Sequence, residues 1–376
     1  MEPPRAAYIH VPFCRHRCGY CNFTLVAGRD DLIDAYLQAL ELELARLEEP
    51  CKVDTLYFGG GTPTHLPAAS LGRLFAIADR WFPRAAGCEV SVEANPEDVD
   101  DARADALAAA GVTRVSLGAQ SYDERKLALL ERSHDAAKIE AAMVRCRRFA
   151  RSVSLDLIFA APHEALDGWQ RDLAAALALS PDHLSTYGLT YERGTTFWNR
   201  LARSDLVRLD EELEREMYLA AIGALTAAGL EHYEVSNFAR PGHRCRHNEA
   251  YWQGRSYHAA GPGAARFVEG RREMNHRSTT TWLKRVLAGD SPVAESETLA
   301  PEDAARERLV FALRRLEGVG LEAFAAETGF DVERLCGAVV QRYIDLGMLG
   351  RHEGVLRLTR EGLLVSDSLW PEILER

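Results

Sequence analysis

The chain has 376 residues, 47% of them apolar, and a formal net charge of −11. That length and apolar content suit one large folded domain with a smaller one, not a disordered chain. The acidic balance argues against a binder of nucleic acid that works by neutralising phosphates, so a small or macrocyclic ligand is the better expectation. No run of 18 uncharged apolar residues occurs, and the opening MEPPRAA has neither a signal-peptide core nor an Arg-rich transit sequence, which predicts a cytoplasmic protein without a transmembrane segment. Peripheral membrane contact is left open.

In chain order, short β-rich runs at residues 6–11, 53–58, 89–93, 114–117, 152–159 and 183–187 alternate with amphipathic stretches, the pattern of repeated βα units and a parallel sheet. Between the first two runs, Leu32, Ile33, Tyr36, Leu37, Leu40, Leu44 and Leu47 recur at helical spacing. Further helices are expected at 70–81, 101–110, 136–149 and 168–179. The predicted fold is α/β, an incomplete (β/α)6 barrel over residues 1–230, favoured over a doubly wound open sheet. A long helix at 210–228 and a short strand at 233–236 lead into a Gly/Pro/His-rich stretch, 240–266, and residues 231–295 are read as a connecting region. Residues 296–376 should form a small winged-helix-like domain, with helices at 302–317 and 331–346, a hairpin turning at His352-Glu353-Gly354, and a last helix. From Pro301 onward there are 14 acidic and 10 basic residues, so packing or a lid role is expected there and DNA binding is not.

Eight cysteines are too few for a disulfide scaffold, and Cys51, Cys88, Cys146, Cys245 and Cys336 stand alone. The other three, Cys14, Cys18 and Cys21, fall in HVPFCRHRCGYCNF, on a loop directly after the first strand, where Gly19 eases the turn. Soft thiolate ligands select iron–sulfur clusters or zinc. A zinc site completed by a distant residue such as His16 is the alternative, although structural zinc is usually built from paired Cys-x₂₋₄-Cys units. Glu93 and Gln120 end strands, where parallel-barrel enzymes carry their sites. Asp156 interrupts an apolar strand, so its carboxylate needs a partner.

Cys-x₃-Cys-x₂-Cys with Tyr20 beside the last cysteine, followed one βα unit later by Gly59-Gly60-Gly61-Thr62-Pro63, resembles the radical S-adenosylmethionine (radical SAM) superfamily. Ser91-Val92-Glu93-Ala94-Asn95-Pro96, Ser116-Leu117-Gly118-Ala119-Gln120-Ser121, Arg132 with His134, and Asp156-Leu157-Ile158-Phe159 resemble one branch of it, the oxygen-independent coproporphyrinogen III oxidases and the related HemW-type haem chaperones. The resemblance covers nearly the whole chain. It implies a 4Fe-4S cluster on Cys14, Cys18 and Cys21 whose fourth iron is open to SAM, and it implies SAM contacts from Tyr8, Tyr20, Gly60, Gly61, Thr62, Glu93, Gln120, Arg132, Asp156 and Thr190. Reduction of such a cluster would cleave the sulfonium bond of SAM to a 5′-deoxyadenosyl radical.

Within that branch, the oxidases carry a further cysteine where this chain has Phe23, and an N-terminal arm ahead of the position of Tyr8. His247-Asn248-Glu249-Ala250-Tyr251-Trp252 resembles the His-Asn-x-x-Tyr-Trp element of the HemW side. It offers an imidazole for iron and rings for a macrocycle; a capped turn with aromatic packing is the plainer alternative, and Cys245 and His243 are nearby candidates for the haem ligand. The expectation is a haem chaperone, with haem as cargo, haem-accepting respiratory proteins as partners, an unidentified electron donor, and a monomeric or homodimeric state. The alternative is an enzyme, the oxidase that decarboxylates coproporphyrinogen propionates. Two positions depart from the family pattern: Ala160-Ala161-Pro162 replaces a Gly-x-Pro turn, and Ala265 stands where histidine is common.

Overall fold

The computed structural model describes residues 3–375. Six strands, β1 (Ala6–Val11), β2 (Val53–Gly60), β3 (Arg84–Ala94), β4 (Arg114–Gln120), β5 (Ser152–Phe159) and β6 (His183–Gly188), pair in sequence order and all in parallel. Their outward faces pack on the helices through apolar residues such as Val92, Val115 and Leu155, while the inward faces of β3–β5 carry polar residues such as Glu93, Ser116 and Asp156, so these strands alternate apolar and polar. Helices α1 (Ile33–Leu44), α2 (Ala68–Trp81), α3 (Asp101–Ala109), α4 (Ala136–Cys146), α5 (Leu166–Ala178) and α6 (Glu211–Ala227) supply the outer layer. They bury Tyr36, Leu40, Leu74, Phe75, Leu107, Ile139, Trp169, Leu173 and Met217 in one core with Ile9, Leu56, Val92, Val115 and Leu155 of the strands. Side chains cap several of these helices: Asp100, Asp135 and Asp210 accept from backbone N–H groups of the first turns of α3, α4 and α6, each cap worth about 1 kcal/mol.

The sheet continues at both edges. Beyond β6 lie β7 (Glu231–Glu234) and β8 (Asn237–Ala239), both antiparallel to their neighbours. On the other side β9 (Tyr257–Ala260) pairs in parallel with β1, followed by antiparallel β10 (Ala265–Val268), β11 (Arg271–Asn275) and β12 (Val293–Thr298). The twelve strands run in the order β12-β11-β10-β9-β1-β2-β3-β4-β5-β6-β8-β7, an open, incomplete barrel. A short helix, α7 (Arg246–Trp252), runs from the N-terminal end of this barrel towards its interior. The Gly/Pro/His-rich stretch therefore contributes a helix and two strands of the main sheet, β9 and the start of β10.

Residues from Pro301 onward build a second core around Leu309, Leu313, Phe324, Val340, Leu356 and Ile373, which Tyr218 and Ile222 of α6 join from the barrel side. Its three-stranded sheet, Val319–Gly320, Val355–Leu358 and Leu349–His352, carries the expected hairpin at Glu353-Gly354, so the winged-helix-like outline holds.

The Ala160 departure has a backbone cost. Ala160 follows β5 with φ 60°, the left-handed region in which an L-residue is strained by about 1–2 kcal/mol and glycine is not. Ala160→Gly should raise stability by about 0.5–1 kcal/mol, less than the strain because glycine also loosens the unfolded chain; the thermal unfolding midpoint of the variant measures it.

Candidate functional site

The C-terminal ends of β1–β6 open into a cavity of about 890 Å³. Its wall includes Cys14, Cys18 and Cys21 and all ten residues expected at SAM: Tyr8, Tyr20, Gly60, Gly61, Thr62, Glu93, Gln120, Arg132, Asp156 and Thr190.

The cysteine loop is fastened at its base. Phe13–Cys14 pairs with Val26–Ala27, and Val26 N–H donates to Pro12 O at 2.7 Å. Inside it, the Arg17 guanidinium donates to Leu25 O (2.6 Å) and Phe23 O (3.3 Å), which sets the loop's curvature without an acidic partner. Gly19 acts differently from the expectation: it has no left-handed φ, and a Cβ there would sit 2.6 Å from the Phe197 ring. Close approach, not the turn, requires glycine. The Cys14 thiol lies 3.2 Å from Thr62 Oγ1, and burial pushes it up to about 12. Among the described residues no three His, Cys, Asp or Glu side chains are grouped to hold a single metal ion, and His16 is 3.0 Å from Glu131 Oε2. Three thiols separated on one loop suit a cluster, where each binds its own iron, better than one zinc.

The glycine run is a cradle. Gly60 has φ 108°, and a Cβ on it would meet the His10 ring at 2.3 Å; one on Gly61 would lie 2.8 Å from Val11 O and Phe13 O. The bare backbone beside it leaves Glu93 within reach: Gly60 N–H donates to Glu93 Oε2 at 2.8 Å and Tyr57 OH to Oε1 at 2.9 Å. Burial nevertheless raises the Glu93 carboxyl to about 7, so the site is ready to gain from a cationic ligand.

Asp156 finds its partner in Ser116, whose hydroxyl lies 2.9 Å from both carboxylate oxygens. Burial still raises its pKa. Gln120, at φ 63°, is another non-glycine residue in the left-handed region, and such strain concentrates at binding sites. Arg132 donates to Asn95 Oδ1 (2.5 Å) and Gly118 O (3.0 Å) and has Nη1 3.8 Å from the Cys18 sulfur. Its Nε is buried with no partner among the described residues, an unmet donor beside the thiols that suits an anionic group. Tyr20 packs edge-on to Phe197 at 6.1 Å.

His247 lies apart from these residues. It does not line the cavity; its ring is buried behind it, with Nδ1 2.9 Å from Thr55 Oγ1 and Nε2 2.8 Å from Tyr251 OH. Tyr57 stacks on it at 5.0 Å, and burial lowers its pKa to about 3. Both nitrogens lie within hydrogen-bond distance of hydroxyls, and the imidazole positions Tyr251, which does reach the cavity wall. The stretch is a helix with no side-chain cap and not a capped turn, and its rings pack on one another. Ala265 lines the cavity.

Sequence reasoning passed over Tyr57, which orients Glu93, and Asn95, which ties Thr62 Oγ1 (3.0 Å) to Arg132. Period-two alternation along β2 puts Tyr57 on the same face as Gly59, a signal available from the sequence.

The cysteines, the glycine cradle and the unmet Arg132 donor fit a cluster with SAM beside it. The radical SAM superfamily model matches residues 8–175, and the HemN C-terminal domain model matches 299–365. The chain is 31% identical to the heme chaperone HemW of Bacillus subtilis over 98% of this chain and 99% of that protein. It is 36% identical to HemW of Mycobacterium tuberculosis H37Rv over 97% and 94%, and 34% identical to the mitochondrial radical S-adenosyl methionine domain-containing protein 1 of Bos taurus over 99% and 87%. Among solved structures, coproporphyrinogen III oxidase (HemN) from Escherichia coli superposes with a TM-score of 0.87 at 21% identity, covering 99% of this chain and 90% of that one, which establishes a shared fold. Fold, cavity and full-length likeness agree: the chain belongs to the radical SAM superfamily and, within it, to the HemW family.

Proposed function

We propose that this protein is a haem chaperone that holds a 4Fe-4S cluster on Cys14, Cys18 and Cys21, binds SAM across the barrel mouth, and carries haem to acceptor proteins in the cytoplasm or at the membrane surface. The observation that carries the reading is one cavity whose lining includes the three thiols and all ten candidate SAM contacts. When reduced, such a cluster supplies the electron that cleaves the sulfonium bond of SAM.

The chain's own residues account for the binding. The Gly60-Gly61 backbone and Glu93 form the end suited to an ammonium group, and Glu93, with its pKa raised to about 7, gives up its proton as that group enters. SAM binding below pH 7 therefore releases a proton and tightens as the pH rises through 7. Arg132 suits the carboxylate end, Asp156 and Gln120 suit ribose hydroxyls, and the Tyr20 ring suits the adenine.

Carrying a porphyrin is favoured over making one by Phe23. It is 64% exposed on the cysteine loop, in the position where the oxidases have a further cysteine. The test is anaerobic: the reconstituted protein is titrated with haem and incubated with coproporphyrinogen III, SAM and a reductant. Haem binding without sustained protoporphyrinogen formation is expected.

A further inference from the structure

Gln120 carries strain that its immediate neighbours do not explain. It is the central residue of a γ-turn, in which Ser121 N–H donates to Ala119 O at 2.7 Å, and its φ of 63° makes this the rare, strained form of that turn. The three steps from Leu117 to Gln120 also face only two on β5, from Leu155 to Leu157, a β-bulge of the kind that re-aims a side chain beside a site. Gln120 thereby lines the main cavity, and its amide makes no hydrogen bond among the described residues. A Cβ on Gly118 would stand 3.0 Å from Gln120 Nε2 and 3.5 Å from Arg132 Nη2, so the bare backbone there lets the amide lie beside Arg132. Such strain persists only where surrounding contacts over-determine it.

Those contacts come from a buried clamp behind the turn. Asp172, on α5, accepts from Ser121 Oγ (2.6 Å) with one oxygen and from Tyr122 N–H (2.7 Å) with the other, so it grips the two residues that follow Gln120. Ser121 Oγ in turn accepts from Asp123 N–H at 3.0 Å. Lys126, on the short helix Glu124–Leu129, holds the Asp172 carboxylate at 3.0 Å and also donates to Glu164, whose second oxygen accepts from Ala161 N–H at 2.9 Å. The side chains of Lys126, Asp172 and Glu164 are 7%, 2% and 5% exposed, and a lysine so enclosed is rare unless paired. One ammonium thus serves both left-handed residues at the ends of β4 and β5, Gln120 through Asp172 and Ala160 through Glu164. Ser121, Lys126, Glu164 and Asp172 do not line the cavity, so whatever they do for a ligand passes through the turn.

We infer that Asp172 and Lys126 are positioning residues for SAM, which lock the Gln120 γ-turn and so hold the free amide of Gln120 in the cavity for the ribose. The inference rests on the reading of Gln120 as a SAM contact. Without the clamp the backbone at Gln120 relaxes out of the left-handed region, and the amide loses its fixed place on the cavity wall.

The test is a double-mutant cycle on SAM affinity, measured by anaerobic equilibrium dialysis with the reconstituted full chain. Asp172→Asn keeps the side chain's shape and removes the charge that faces Lys126. Ser121→Ala removes one grip and leaves the ion pairs intact, so it carries the test if Asp172→Asn does not fold. Each should weaken SAM by about five- to tenfold, near the worth of one hydrogen bond, with iron and sulfide content unchanged and a thermal melt confirming folded protein. Gln120→Ala should weaken SAM by a similar factor, and adding either substitution to it should cost little more, because the clamp acts through that one amide. Wild-type SAM affinity in folded Ser121→Ala or Asp172→Asn would overturn the inference, as would losses that simply multiply with that of Gln120→Ala. Wild-type affinity in Gln120→Ala, or no SAM binding by the wild type, would instead remove the reading of Gln120 as a SAM contact.

Discussion

Serine in place of Cys18 or Cys21 is expected to reduce the iron retained after anaerobic reconstitution from about four atoms per chain to nearly none. A hydroxyl stays protonated at neutral pH and is a hard, poor ligand for a cluster iron. No neighbour among the described residues can substitute: His16 is taken by Glu131, and Glu97 is taken by Ser133 and His134. The fold should not suffer, because backbone bonds at Cys14, Val26 and Gly28 close the loop below these side chains. Iron and sulfide analysis beside a thermal melt of the cluster-free chain separates the two effects. A melt within about 0.5 kcal/mol of wild type is expected, with the iron gone.

Glu43→Ala should be the most damaging substitution outside the cavity, at about 3–5 kcal/mol, because truncation strands three buried donors, each worth about 1–3 kcal/mol. Glu43 is fully enclosed on α1 and accepts from Asn275 Nδ2 (2.6 Å), Trp282 Nε1 (2.8 Å) and Gly261 N–H (3.1 Å). The substitution also frees the cavity wall: a Cβ on Gly261 would be 2.4 Å from His10 O, and one on Gly263 2.4 Å from Thr24 Oγ1, so this loop is pressed against β1 and the cysteine loop. Burial raises the Glu43 carboxyl to about 7. Between the unfolded value near 4.5 and 7 the folded protein binds the extra proton, so this group's contribution to wild-type stability falls as pH rises through that window. The deficit of Glu43→Ala should therefore be larger at about pH 5 than at about pH 8, which urea unfolding at the two values will show.

How much of this was legible depended on whether the determining contacts were local. The bounds of β1 and β5 follow from their apolar runs alone, and the amphipathic spacing of α1 and α2 placed the outer layer. The cysteine spacing and the glycine run pointed to the site because their chemistry is written in consecutive residues. Strands β11 and β12 were missed for the opposite reason. Their sequences, RREMN and VAESET, lack hydrophobic alternation and are joined by ladder bonds and cross-strand ion pairs such as Arg272–Glu297. The setting of His247 was only half legible: Tyr251, on its Nε2, is four residues away, but Thr55, on its Nδ1, and the stacked Tyr57 lie almost two hundred residues away in sequence. Ala160 was visible as a departure, but its left-handed φ was not.

A barrel that shares its fold with coproporphyrinogen III oxidase is expected to carry haem instead of making a porphyrin. One anaerobic experiment addresses it: the reconstituted protein receives SAM, reductant and coproporphyrinogen III in one vessel and haem with an apo-acceptor in another. Stoichiometric haem uptake and its transfer to the acceptor, with no turnover of coproporphyrinogen, is the predicted result. Repeated conversion of coproporphyrinogen III to protoporphyrinogen by a protein that leaves haem in solution would contradict it.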